Sequence, residues 1–485
     1  MGDVWRRGLS VRTLLVRAIP VVLAAAAVGL LTVWLRARPT LDLRERLEEA
    51  ARRPPAAHEV QFPGDFAETG APFEALPGSW SGFRGDGRDG ISRDPTPLAR
   101  AWGPQGPKVL WSVPVGIGYA APAVRGGRVY ILDYDEGRQA DALRCLSLSD
   151  GRELWRRWYE IPIDSDHGIS RTVPAVTDKY VVTLGPKCHV MCADAATGAF
   201  RWGIDLVKEY GATVPKWYAG QCPLVDSGSA ILAPGGRGAL MMAVDCESGR
   251  VLWRTRNERG WKMTHSSVVP LEFNGRRMYV YCASGGAVGV AADDGPAWKA
   301  GDVLWERPDW RVTFANVPSP VPAGEGRILL SGGYGTGSLM IQLKEAEGGR
   351  LETETVWRLE KSRQFGCEQQ TPVFYEGHVY GVLPKEAGSL GGQLVCLGLD
   401  GKHVWTSGTG HRFGLGPWMI ADGLIFAMND DGVLTTAEAT AGGFKPLAQA
   451  KVLDGRETWA PLAIAGGRLI VRDLKRMVCL DVRRE

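Results

Sequence analysis

The sequence predicts an all-β protein, an eight-bladed β-propeller of four-stranded antiparallel blades preceded by an N-terminal transmembrane helix. Three observations predict the propeller. A unit of about 50 residues recurs along the chain, and each copy alternates apolar and polar positions between tight turns. The last copy lacks one strand, and a spare strand precedes the first copy.

The clearest copy of the unit is Ala121–Trp155, with the sequence APAVRGGRVYILDYDEGRQADALRCLSLSDGRELW. It contains four runs of period-2 alternation, and turns rich in Gly and Asp separate them. This pattern is typical of four short antiparallel strands. One such sheet cannot bury both of its faces alone, so the unit requires copies of itself on either side.

Tryptophans mark the ends of the copies. They are separated by 44, 47, 51, 52, 52 and 48 residues. A period near 50 with four strands per unit is typical of propeller blades. The marker residues, which we expect to pack between neighbouring blades, are Trp111, Trp155, Trp202, Trp253, Trp305, Trp357 and Trp405.

The two ends of the repeat region complement each other. The last copy, APLAIAGGRLIVRDLKRMVCLDV, stops after its third strand, whereas KVLW at Lys108–Trp111 precedes the first copy and ends in a marker Trp. Joining them completes an eighth blade and leaves the ring without an open sheet edge. We therefore assign residues 108–485 to a propeller that strand 108–111 closes.

The region before the propeller divides into four parts. Residues 1–17 form a basic tail, and residues 18–35 form an uncharged stretch of 18 residues that predicts a transmembrane anchor. No convincing A-x-A site follows it, so a cleaved signal peptide and a secreted product are the alternative. Residues 36–79 predict a juxtamembrane helix and a Pro/Ala-rich linker, and residues 80–107 form a lead-in whose Trp80 and Phe83 could serve as apolar plugs.

Composition restricts the function. The formal net charge is +3, and residues 1–53 carry ten Arg against five acids, so the remainder of the chain sums to −2. A near-neutral globular part gives no indication of a nucleic-acid partner. Four of the nine Cys fall on the third strand of their repeats, which favours small buried apolar side chains over disulfides or a metal site.

Two copies carry a recognisable turn-and-Trp motif: CADAATGAFRW at Cys192–Trp202 and AVDCESGRVLW at Ala243–Trp253. This motif resembles the tryptophan-docking motif of the PQQ-like (quinoprotein-like) eight-bladed propellers, and the resemblance covers about residues 80–483. The family comprises PQQ-dependent dehydrogenases and non-catalytic, BamB-like members. Because both branches carry the motif, it indicates the fold and not the activity.

Ligands of propellers usually meet the loops that enter the inner strands. In this sequence those loops carry cations, amides and aromatic rings with few acids, so they could bind a ligand or could simply fill the channel. The candidate binding residues are Arg171, Trp217, Gln221, Lys262, His265, Asn316, Gln369 and Arg412.

The resemblance leaves an enzyme as the alternative function. A PQQ site implies basic groups for the cofactor's carboxylates, a Ca²⁺ ion and a carboxylate base, for which Arg171, Lys262, Arg412 and Glu368 are candidates. However, the chain has no Cys-Cys dipeptide, and no partner Asp accompanies Glu368 and Asn316. We therefore expect neither a cofactor nor a metal, and we favour the non-catalytic branch.

The expected function is that of a membrane-tethered module on the extracytoplasmic (periplasmic) side that binds a protein or polymer through its loops. A third possibility is carbohydrate binding by aromatic side chains at the mouth of the channel. The residues that suggest it are Trp217, Tyr218, Trp418 and Trp459.

Overall fold

A computed structural model of the chain describes residues 11–36, 60–164, 167–347 and 350–484. Residues 1–10 of the predicted basic tail and residues 37–59 of the predicted juxtamembrane helix and linker lie outside the described residues. The chain divides into two compact units, Met1–Glu59 and Val60–Glu485.

The described part of the first unit is the helix α1 (Val11–Arg36). Within the described residues, no helix combines the length and the apolar character that crossing a membrane requires. The anchor expected over residues 18–35 therefore stays a prediction.

The second unit contains eight sheets among its described residues, and six of them are four-stranded antiparallel blades. The strands that precede the first blade are β1 (Asp65–Glu68), β2 (Ser79–Trp80), β3 (Ile91–Ser92) and β4 (Lys108–Pro114). The strands of blades 1 and 2 are β5 (Ala123–Arg125), β6 (Arg128–Asp135), β7 (Ala140–Ser147), β8 (Glu153–Glu160), β9 (Ala175–Val176), β10 (Tyr180–Leu184), β11 (His189–Asp194) and β12 (Phe200–Asp205).

A short helix, α2 (Leu206–Tyr210), follows blade 2. The strands of blades 3 and 4 are β13 (Leu224–Asp226), β14 (Ser229–Leu232), β15 (Met242–Asp245), β16 (Val251–Arg254), β17 (Val269–Phe273), β18 (Arg276–Ala283), β19 (Gly286–Ala291) and β20 (Val303–Arg307). Those of blades 5 and 6 are β21 (Val321–Pro322), β22 (Arg327–Gly332), β23 (Gly337–Glu345), β24 (Leu351–Leu359), β25 (Val373–Tyr375), β26 (His378–Val382), β27 (Leu394–Gly398) and β28 (His403–Thr406).

Blade 6 also holds a 3-10 helix, Lys385–Leu390, between its second and third strands. The strands of blades 7 and 8 are β29 (Trp418–Ala421), β30 (Leu424–Met428), β31 (Val433–Glu438), β32 (Pro446–Lys451), β33 (Ala463–Ala465), β34 (Arg468–Arg472) and β35 (Arg476–Asp481).

Blade 8 closes the ring as the sequence predicts. Its fourth strand is β4, which pairs antiparallel with β35, so that Trp111 lies opposite Cys479. Pairing a strand from the start of the repeat region with three from its end leaves no half-finished blade. The eight-bladed architecture is therefore confirmed.

The marker tryptophans connect successive blades. At five of the seven markers the indole Nε1 donates to a carbonyl in the last turn of the next blade, and Trp202 Nε1 lies 2.9 Å from the Cys246 oxygen. The motif glycine, Gly249, has a φ of +72°, and a Cβ there would lie 2.7 Å from the Trp202 ring. Glycine is required at this turn because the conformation is left-handed and the indole lies directly against it.

All nine cysteines are free and buried. Cys145, Cys192, Cys396 and Cys479 lie on the third strands of their blades, as expected. They pack within the apolar clusters between neighbouring sheets. The prediction of small buried apolar side chains is confirmed for these four positions.

The lead-in lies inside the ring. Its Trp80 is buried, and β2 pairs with β5 of blade 1, whereas β3 pairs in parallel with β29 of blade 7. Between these strands, Arg84 donates to the carbonyls of Thr371 and Pro372, 2.8 Å away in each case, just before blade 6. Because inner strands line the axis, this segment fills part of the central channel.

One strand falls where composition predicts only a linker. Residues Asp65–Glu68 form β1, which pairs antiparallel with β8 and covers the outer edge of blade 1. Their short length and their acidic composition give no clear strand pattern, so periodicity could not identify them.

Candidate functional site

The loops that enter the inner strands lie at one end of the ring, together with the turns between second and third strands, because successive strands alternate in direction. We call this end the loop face. Its described residues bring together two groups of side chains, which Arg171 connects.

Arg171 lies between the two groups. Its Nε donates to the carbonyl oxygen of Trp217 at 2.5 Å, and its guanidinium carbon lies 5.0 Å from the centre of the Tyr119 ring. Burial lowers the pKa of this guanidinium to about 10. The Nη2 atom is buried without a hydrogen-bond partner in the described part of the chain, so the side chain retains an unused donor.

The first group, which we call the mouth cluster, comprises Tyr119, His167, Arg171, Glu457 and Trp459. The Tyr119 hydroxyl donates to Glu457 Oε2 at 2.7 Å, and its ring stacks on Trp459 with centroids 5.4 Å apart. The His167 ring lies 5.2 Å from that of Tyr119. Burial and the hydrogen bond to Glu457 raise the pKa of Tyr119, so this phenol stays protonated and donates.

The second group, which we call the aromatic patch, comprises Lys216, Trp217, Phe314 and Tyr334. The Phe314 ring lies 5.2 Å from Trp217 and 4.9 Å from Tyr334. Lys216 Nζ lies 4.5 Å and 5.1 Å from the rings of Trp217 and Phe314. Phe314 is 55% exposed, which is uncommon for a phenylalanine and marks a surface that a ligand or partner could cover.

His265 and Asn316 lie next to each other, and His265 is close enough to Arg171 to feel its charge. The backbone N–H of His265 donates to the Asn316 carbonyl at 3.1 Å. Burial lowers the pKa of His265 to about 4, and the charge of Arg171 acts in the same direction. This imidazole is therefore neutral at physiological pH.

Glu368 adjoins the aromatic patch, since its side chain lies against Gly333 and its charge acts on Tyr334. Burial, together with the carboxylate of Glu386, raises the pKa of Glu368 to about 7. Glu386 Oε1 accepts a hydrogen bond from Ser362 Oγ at 2.6 Å. Glu368 and Gln369 line a small cavity against Pro384. Two carboxyl groups this close favour sharing one proton.

Of the remaining predicted residues, two make hydrogen bonds within the fold and one is exposed. Gln221 is buried, and its amide binds the backbone N–H and carbonyl of Ala233. Arg412 donates to the carbonyls of Ser389 and Gly391. The Lys262 side chain is exposed.

Of the aromatic residues considered for carbohydrate binding, Trp418 is buried at the start of β29. The Tyr218 hydroxyl donates to the Asp164 carbonyl at 2.6 Å. Only Trp217 and Trp459 of that set belong to the two groups described above.

Sequence reasoning did not single out Tyr119, Lys216, Phe314, Tyr334 or Glu457. Two signals were available. Tyr119 lies in a loop with the same small-residue and Pro entry into an inner strand as the loops considered, and Phe314 begins one of those loops. Tyr334 lies in a turn between second and third strands, which no repeat pattern marks as part of a site.

The candidate residues do not fit a calcium-bound PQQ. Two of the arginines proposed for the cofactor's carboxylates already donate to backbone carbonyls, Arg412 to those of Ser389 and Gly391 and Arg171 to that of Trp217. The proposed base, Glu368, faces a second carboxyl group. Among the described residues, no three His, Cys, Asp or Glu side chains lie close enough together to hold a metal ion.

The fold and the docking tryptophans define the architecture, an eight-bladed β-propeller, and in this the chain is similar to the PQQ-like propellers. A family model described as outer membrane protein assembly factor BamB matches residues 138–355. A search among curated proteins found no matching sequence.

Two solved structures have the same fold. BamB from Moraxella catarrhalis is 13% identical, with 77% of this chain and 99% of that chain covered and a TM-score of 0.51. A europium-containing methanol dehydrogenase is also 13% identical, with 84% and 90% covered and a TM-score of 0.56. The name BamB stands for an assembly factor, whereas the second structure is that of an enzyme. Similarity to both therefore establishes the fold of this chain and not its activity.

Proposed function

We propose that this chain is a non-catalytic binding module whose loop face captures a protein partner. The observation that supports the proposal is the aromatic patch, where exposed Phe314 lies between Trp217 and Tyr334 beneath the ammonium group of Lys216. Exposed aromatic rings beside cations are typical of the central residues of protein interfaces.

The chemistry of the adjacent mouth cluster agrees with this role. It offers the stacked rings of Tyr119 and Trp459 and the spare Nη2 donor of Arg171. A partner that inserts a carbonyl or carboxylate could satisfy that donor and cover the rings. The BamB description of the matching family model points to a protein partner too.

Site-specific photo-crosslinking in intact cells tests the proposal. A photoreactive amino acid in place of Phe314 is expected to form a discrete adduct with one protein. The same amino acid in place of Phe73, which is also partly exposed but packs against Arg128 away from the loop face, is the matched control. Trp217→Ala is expected to abolish the Phe314 adduct and leave the fold intact.

Two alternatives have distinct results. Purified protein that retains PQQ and Ca²⁺ stoichiometrically, and then reduces a dye in the presence of an alcohol or a sugar, would identify an enzyme. The pKa of about 7 for Glu368 suits a general base and is the observation that favours this alternative. Binding to a glycan array that Trp459→Ala abolishes would identify a carbohydrate-binding propeller.

Tethering through residues 18–35 and a position on the extracytoplasmic side are also part of the proposal. Membrane fractionation, followed by protease access from the outer side of the membrane, tests both. Recovery of the propeller in the cytosolic fraction would contradict them.

A further inference from the structure

A groove of ≈ 1090 Å³ runs along the outer strand of blade 4, apart from the mouth cluster and the aromatic patch. Four consecutive residues of β20, Val303–Glu306, form one side. The segment Arg254–Arg259, which begins at the last residue of β16 and continues into the following loop, lines another part, and Arg350 and Leu351 lie where the outer strand of blade 5 begins.

The groove carries unused positive charge. Arg254 and Arg256 are exposed and have no carboxylate partner within the described residues. By contrast, Arg259 pairs with Glu306 at 2.8 Å, and the Asp302 carboxylate accepts from the backbone N–H of Lys299 at 2.7 Å. Guanidinium groups without partners favour a ligand that brings carboxylates.

The groove also contains the outer edge of a blade, which closure of the ring leaves unpaired. In blade 4 the strand order is β17-β18-β19-β20, so β20 pairs with β19 on one side only. The other side presents backbone N–H and carbonyl groups along the groove. Such an edge can accept an extended peptide as an additional strand.

The chain itself docks a strand in this way at blade 1. The segment Asp65–Glu68, with the sequence DFAE, adds antiparallel to the outer strand β8. Its Phe66 ring lies 6.4 Å from the marker Trp155 and 4.9 Å from the guanidinium carbon of Arg157. An acidic strand with one aromatic residue therefore fits the outer edge of a blade that carries Trp and Arg.

We propose that the groove at blade 4 binds an extended acidic peptide, which adds to the edge of β20 and places its carboxylates on Arg254 and Arg256. The marker Trp305 of β20 corresponds to Trp155 of β8. The groove shares no residue with the mouth cluster or the aromatic patch, so this inference does not depend on the proposed function.

Fluorescence anisotropy with the full-length chain tests the proposal. The probe is a labelled peptide with the sequence of residues 64–70, GDFAETG, at low ionic strength. We expect saturable binding that weakens as salt is added. The same peptide with Asn and Gln in place of its two acids is expected to bind at least about tenfold more weakly, which corresponds to about 1.4 kcal/mol.

Charge reversal locates the site. The double variant Arg254→Glu/Arg256→Glu is expected to weaken peptide binding by at least about tenfold. The matched control is Arg237→Glu/Arg484→Glu, which makes the same change of charge at two exposed arginines outside the groove. Equal effects of the two double variants, or no binding at low salt, would overturn the proposal.

Two further measurements separate strand addition from simple charge attraction. A peptide with N-methylated backbone amides loses main-chain donors, so it should lose affinity, and the amides of residues 303–307 should exchange more slowly when the unmodified peptide is bound. Full binding of the methylated peptide overturns strand addition. Binding of a sulfated polysaccharide that requires Arg254 and Arg256, without any peptide binding, assigns the groove to a different ligand and also overturns it.

Discussion

The marker tryptophans Trp202 and Trp305 differ in the acceptor of the indole N–H. Replacing each of them with phenylalanine therefore measures what the hydrogen bond between blades contributes to stability. Both Trp202 and Trp305 are buried. Trp202 Nε1 donates to the Cys246 carbonyl of the next blade at 2.9 Å, whereas the nearest acceptor of Trp305 Nε1 is the Met278 sulfur of its own blade at 3.4 Å. Phenylalanine at either position removes the second ring and the N–H donor.

The loss of ring area is common to both substitutions, so their difference reports the hydrogen bond between blades. Trp202→Phe leaves the buried carbonyl of Cys246 with only the weak thiol donor of Cys192, 3.5 Å away, and a buried acceptor without a good donor costs about 1–3 kcal/mol. A sulfur acceptor is weak, so Trp305→Phe carries little of this cost. We expect Trp202→Phe to lower the free energy of unfolding by about 1–3 kcal/mol more than Trp305→Phe.

Urea-induced unfolding followed by circular dichroism measures the difference, and the thermal midpoint provides a second measure. Both variants should keep the wild-type spectrum, since neither alters the turn or the strand. Equal destabilisation, within about 0.5 kcal/mol, would refute the assignment of stability to the hydrogen bond and leave packing alone as the role of the docking tryptophans.

Three further results are expected. Gly249→Ala should destabilise the protein by about 2 kcal/mol or more in urea unfolding, because a left-handed residue gains a Cβ against Trp202. Arg84→Met should lower the thermal midpoint, because buried carbonyls lose a charged donor. The folded state raises the pKa of Glu368 to about 7, so it binds more protons than the unfolded state, and stability should fall as pH rises from about 4.5 to 7. Glu368→Gln should flatten this part of the stability profile.

The repeat pattern predicted most of the fold. Trp111 and Cys479 pair across the closing blade although they lie at opposite ends of the repeat region, and the prediction needed only the missing strand of the last copy. The docking turns were also predictable, since Gly and Trp recur at fixed offsets. Strand β1 was not, because four residues without alternation carry no periodic signal.

The candidate site was predicted only in part. The structure brings four of the predicted residues close to one another or to the same neighbours: Arg171, Trp217, His265 and Trp459. Their positions in the loops that enter the inner strands were sufficient to predict them. Gln221 came from the same reasoning, but its amide is used within the fold. Which loop residues point toward the mouth depends on local backbone turns that no repeat encodes.

The sequence by itself determined the propeller, the number of blades and the place where the ring closes, because these follow from periodic burial along the chain. Only the tertiary structure brought Tyr119 against Glu457, 338 residues away, and placed Glu368 beside Glu386. It alone revealed the edge of β20 in a groove with unpaired arginines. The physical reason is that strands follow local hydrophobic patterns, whereas contacts among loops depend on the ring that brings distant blades together.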